Sequence, residues 1–90
     1  MPTAMTFTGT ASTTPAVNTF DPAGPTVNIM YIRNTSADTD LRIKGAFSGN
    51  ELDIIPFGVE RNFEDTGGIP VFTVDTASGT ATYNAGPVSV

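Results

Sequence analysis

Glu51 and Asp53 are the nearest this 90-residue sequence comes to a catalytic pair. On an extended strand, alternate residues share a face about 6.5–7 Å apart, close to the spacing of paired carboxylates in glycoside hydrolysis. Any solvated strand face produces the same spacing, and substrate-stacking aromatics are scarce, with no Trp and two Tyr. A hydroxyl nucleophile needs a neighbouring base, most often His. The chain has no His, and its one lysine, Lys44, alternates with Arg42 on what reads as a solvated strand face. Asp38, Asp40 and the side-chain oxygens of Asn34–Ser36 crowd one turn, and oxygen ligands suit calcium. The glycine at the sixth position and the distal glutamate of a calcium loop are missing, so a plain turn is the simpler reading. Gly67-Gly68 is followed by neither a helical pattern nor a Lys-Ser/Thr pair, so it reads as a flexible loop tip rather than a phosphate cradle. Asn34-Thr35-Ser36 matches a glycosylation acceptor, a chance match where no signal-peptide pattern opens the sequence. These residues lead to the expectation of a protein that is not an enzyme and has no metal or cofactor.

Composition points the same way. Ninety residues make one small domain at most, with a thin stability margin. Such domains lean on disulfides, a metal or oligomerisation; with no Cys and no His, oligomerisation or docking on a scaffold remains. The net charge is −5, with four basic residues, Arg33, Arg42, Lys44 and Arg61. That balance is wrong for nucleic acid, whose phosphates are neutralised by Lys and Arg. No apolar run approaches the ~20 residues of a membrane helix.

Two unlike parts must position these residues. Residues 1–32 hold one charged side chain, Asp21, amid Thr, Ala and Pro. All other charges fall between Arg33 and Asp75. Residues 1–25 read as an extended arm with one short strand, where Met5 and Phe7 alternate with Thr6 and Thr8 before Pro15, Pro22 and Pro25 break regularity. Met5, Phe7, Val17 and Phe20 are its candidate partner-binding anchors. Residues 26–90 read as the folded domain. Val27–Arg33 carries apolar residues on both faces, as a central strand covered on two sides does. Asp40–Phe47 alternates, with Leu41 and Ile43 inward and Arg42 and Lys44 outward. Glu51–Phe57 ends at Pro56, which cannot donate a ladder hydrogen bond. Val59–Phe63, Ile69–Asp75, Thr80–Asn84 and Val88–Val90 are further short strands. Phe57 and Phe63 are candidates for the core or for a subunit contact. Short strands with turn residues every 8–12 positions and no sustained 3.6-residue period predict an all-β fold. The expected form is a small antiparallel β-sandwich or jelly-roll-like barrel with an extended N-terminal arm.

The block from Tyr31 to Asn84, YIRNTSADTDLRIKG…LDIIPFGVERNFEDTGGIPVFTVDTASGTATYN, resembles small all-β structural proteins of tailed bacteriophages. The features in common are the Asn-Thr-Ser turn, the Asp-Leu-Arg-Ile strand, the Pro-Phe-Gly corner and the closing Gly-Thr-Ala-Thr-Tyr segment. The absence of Cys and His and the Thr/Ala-rich arm suit capsid decoration, or cement, proteins. The resemblance implies a virion protein assembled in the host cytoplasm, a dimer or trimer of itself, bound between major capsid protein subunits on the capsid surface. Two other readings stand beside it. One is a phage tail, neck or fibre component. The other is a small ligand- or carbohydrate-binding β-module, against which the lack of Trp counts, since large aromatic rings supply an apolar platform.

Overall fold

The computed structural model describes residues 6–45 and 52–89. Eight strands follow one another: β1 (Phe7–Ala11), β2 (Ala16–Thr19), β3 (Ile29–Asn34), β4 (Leu41–Gly45), β5 (Leu52–Ile55), β6 (Glu60–Glu64), β7 (Val71–Asp75) and β8 (Ala81–Ser89). They form two antiparallel four-stranded sheets, ordered β1-β8-β3-β6 (sheet A) and β2-β7-β4-β5 (sheet B). The nested pairs β1·β8, β2·β7, β3·β6 and β4·β5 are those of one long hairpin rolled into two layers. This is the jelly-roll strand order of a small β-sandwich, the fold class expected from the strand spacing. No helix occurs among the described residues.

Period-two alternation places the core. In β4, Leu41 and Ile43 are buried while Lys44 is exposed. In β7, Phe72 and Val74 turn inward; in β8, Ala81, Tyr83 and Ala85 do. β3 is central as expected, lying between β8 and β6, and buries Met30, Ile32 and Asn34. Its other face differs from the expectation: no layer of the described residues covers it, and Ile29 and Tyr31 are half-buried among their neighbours. The two segments expected after residue 80 are one strand. Gly86 and Pro87 sit inside β8, next to a register shift against Ile29 and Met30. Pro87 lies two positions past Ala85, the last β8 residue paired with the described part of β1.

The N-terminal segment requires a correction. The described residues of 1–25 are part of the sandwich rather than a separate arm. β1 pairs with β8 through five residues and β2 with β7 through four. Ala11 and Phe20 are buried. Phe7, Phe20 and Phe72 form an aromatic trio with centroids 5.3–5.8 Å apart, two of the contacts edge-on. Edge-to-face contacts add about 0.5–1.5 kcal/mol beyond burial. A chain this short cannot leave two aromatic residues outside its only core.

Candidate functional site

The residues that suggested chemistry are not gathered into a reactive centre. Glu51 lies outside the described residues. The Asp53 carboxylate accepts from its neighbour Ile54 N at 2.9 Å and faces Arg61 at 3.6 Å. Among the described residues, no three His, Cys, Asp or Glu side chains come together as metal ligands. In the turn considered for calcium, both aspartates and Asn34 accept hydrogen bonds from the protein. Asp38 Oδ1 accepts from the Thr39 hydroxyl at 2.9 Å, and Asp40 Oδ1 accepts from Phe57 N at 3.3 Å. Asn34 Oδ1 accepts from Ser36 N at 3.0 Å, and its Nδ2 donates to the carbonyls of Thr39 and Ile55 at 2.8 and 2.9 Å. Asn34 is the fully buried last residue of β3, so its glycosylation motif is closed to a glycan in this fold.

The Gly67-Gly68 tip is pinned, contrary to the expectation of a flexible one. Asp65 Oδ1 accepts from Gly67 N at 2.9 Å, and the Asn28 amide donates to the carbonyls of Asp65 and Thr66 at 3.2 Å. Gly68 adopts φ +95°, a conformation that favours glycine. Beside it lies a groove of about 290 Å³, whose apolar lining is Phe20, Pro22, Pro25, Val27, Ile69 and Pro70. Its one carboxylate, Asp21, already caps Ala23 N at 2.9 Å.

The four residues expected as arm anchors separate. Met5 lies outside the described residues. Phe20 is 4% exposed, and Phe7 packs against the core, so both are committed to their own chain and are corrected as free anchors. Val17 stands out at 66% exposure. Of the two phenylalanines left open between core and contact, Phe63 packs on the core and Phe57 is half exposed.

Val17 belongs to the outer face of sheet B. Across that face, Val17 lies opposite Thr73, which lies opposite Lys44; Thr19 lies opposite Val71. In the next row Asp75 lies opposite Arg42, which lies opposite Ile54, 49% exposed. The sequence reading did not single out Ile54 or the Arg42–Asp75 pair. Arg42 donates through Nε and Nη2 to the two carboxylate oxygens of Asp75, both at 2.8 Å. These hydrogen bonds raise the guanidinium pKa above its ordinary value. A two-bonded Arg–carboxylate fork of this kind is planar and directional. The closed pair leaves Lys44 as the uncompensated charge among the described side chains of this face.

The flanks of the sandwich also differ. β5 and β6 form one flank, where Arg61 and Asp53 bridge the sheets, Glu60 and Glu64 are exposed, and Pro56 follows β5. β1 and β2 form the other and contain no charged residue. There Asn18 Nδ2 donates to the Tyr83 hydroxyl at 3.1 Å, tying the two sheets. Comparison of the chain with protein-family models, curated proteins and solved structures finds no match.

Proposed function

We propose that this chain is a non-enzymatic virion structural protein: a capsid decoration protein that binds between major capsid protein subunits of a tailed-phage head and stabilises it. The outer face of sheet B carries the reading. Val17 and Ile54 are exposed on it, and the acidic side chain it bears among those described, Asp75, is neutralised by Arg42. In a chain of net charge −5, this leaves Lys44 as the one described charge to dehydrate or pair when the face meets another protein. Val17 on β2 and Ile54 on β5 stand at opposite edges of the sheet, so a partner that covers both must span all four strands. The Tyr31–Asn84 resemblance supplies the class of partner. The jelly roll is compatible with it but also serves lectins and cupins, so the fold alone does not choose.

Docking therefore proceeds through a pre-formed face rather than through an arm that orders on contact. Burying Val17 and Ile54 contributes roughly 1–2 kcal/mol each, scaled by the area still exposed. That is modest for one copy and effective for many copies on one shell. The test is co-sedimentation of the purified protein with undecorated tailed-phage heads built from a major capsid protein. Saturable binding that protects the heads from heat is expected. Absence of binding, with a clear saccharide hit on a glycan array, would overturn the reading in favour of a carbohydrate-binding module.

A further inference from the structure

We infer that β1 is the pairing edge for a second copy of this chain, the two β1 strands running antiparallel across a two-fold axis at Gly9. The pairing would join the two A sheets into one eight-stranded sheet. Its use on a capsid rests on the reading above; the pairing itself rests on the edges of the sandwich.

A sheet edge presents unpaired backbone N–H and C=O groups, and proteins that remain apart guard such edges with charges, proline or bulges. Among the described residues, such guards stand on one flank only. β6 carries Glu60, Arg61 and Glu64; β5 carries Asp53 and ends at Pro56. On the other flank, β1 (FTGTA) has neither charge nor proline, and β2 (AVNT) is shorter and follows Pro15. Long-range repulsion between copies of net charge −5 is weakest where the approaching surfaces carry no charge.

A two-fold contact must be complementary to itself, and β1 is. With Gly9 opposite the second copy's Gly9, Thr8 faces the second copy's Thr10, and Phe7 faces the second copy's Ala11. Thr–Thr cross-strand pairs are favourable; just past the end of β3, Thr35 already meets Thr82 of β8 in this way, with hydroxyls 2.8 Å apart. Phe7, in register with buried Ala85, is half-buried in its own chain, and a small alanine opposite leaves room for its ring. Glycine at the axis is also favoured from below. A Cβ at position 9 would stand 3.3 Å from the Tyr83 hydroxyl, which holds the two sheets together through Asn18.

Five residues a side fall short of the roughly 1,200 Å² that stable complexes bury. The free protein is therefore a concentration-dependent dimer. Sedimentation velocity over a dilution series tests this on the full chain. Wild type is expected to shift from dimer to monomer on dilution. The Thr8→Lys/Thr10→Lys variant, altered on exposed outward positions, is expected to keep its β-sheet circular dichroism and stay monomeric. Because the chain has no cysteine, a Thr8→Cys/Thr10→Cys variant reports the register by oxidative cross-linking between chains, with Glu60→Cys/Asn62→Cys as the guarded-flank control. A wild type that is monomeric at every concentration overturns the pairing. So does a dimer that survives the lysine substitutions, or cross-linking confined to the control. Head binding by a protein that never dimerises would refute this pairing and leave the docking face standing; a dimer that ignores heads would do the reverse.

Discussion

Replacing Asn34 is the perturbation whose cost can be worked most fully from the structure. Its amide donates to two carbonyls, Thr39 and Ile55, while its oxygen accepts from Ser36 N. The Ser36 hydroxyl lies 2.7 Å from both Asn34 Oδ1 and the Thr39 carbonyl and donates to one of them at a time. One side chain thereby joins the end of β3, the following loop and the end of β5. In Asn34→Ala, the Ile55 carbonyl loses its side-chain donor and the Thr39 carbonyl keeps at most the Ser36 hydroxyl. At roughly 1–3 kcal/mol for each buried group left unsatisfied, the loss is about 2–4 kcal/mol. For a domain of this size that lowers Tm by roughly 10–25 °C.

Asn34→Asp separates the hydrogen-bond account from simple loss of volume. The new carboxylate is isosteric but faces both carbonyls with no N–H to give, so burial and repulsion raise its folded pKa above its unfolded value. Stability relative to wild type is then unaffected by ionisation below the unfolded pKa of about 3.9 and falls as pH rises past it. The fall ends once pH passes the folded pKa, after a loss of about 1.4 kcal/mol for every tenfold difference between the two acidity constants. Urea denaturation followed by circular dichroism between about pH 4 and pH 7 reads the difference. An Asn34→Ala loss below about 1 kcal/mol, or an Asn34→Asp penalty that does not grow with pH, would refute the reasoning.

Other outcomes follow from the same packing. Deleting residues 1–25 removes β1, β2 and Phe20 from the core, so the remainder is expected to show no cooperative thermal transition; a cooperative β-sheet melt would restore the separate-arm view. Phe72→Ala, at the centre of the aromatic trio, costs about 3–5 kcal/mol by chemical denaturation. Gly68→Ala costs upwards of about 1 kcal/mol, because φ is +95° and its Cβ would lie 2.7 Å from Thr26 Cγ2. Adding Thr26→Ser recovers only the contact part, and full recovery in the melting temperature would show that φ is not the cause. Val17→Glu, at an exposed site, stays within about 0.5 kcal/mol of wild-type stability while weakening head binding.

The strands were legible because β4 and β7 alternate cleanly between apolar and polar residues. The N-terminal segment was misleading for a physical reason. An edge strand with Thr on its outer face and only Phe7, Gly9 and Ala11 inward buries little apolar surface per residue, so its composition resembles that of an arm. Its pairing partner, β8, lies at the far end of the sequence and leaves no local trace. The docking face was legible only at Val17. Arg42 and Asp75 are 33 residues apart and meet only through the β4·β7 register. Asn34 looked like a turn residue because its type favours turns; its buried role depends on Ile55, 21 residues away.

The central claim, that the pre-formed outer face of sheet B attaches this sandwich to a larger shell, is tested most directly by one comparison of head binding. Wild type, Val17→Glu on the outer face of sheet B and Asn62→Glu on the exposed part of β6 are mixed with undecorated heads and sedimented. Wild type and the β6 variant should pellet with the heads to the same saturation, with Val17→Glu left in the supernatant. Equal binding by all three, or binding by none, would contradict the account.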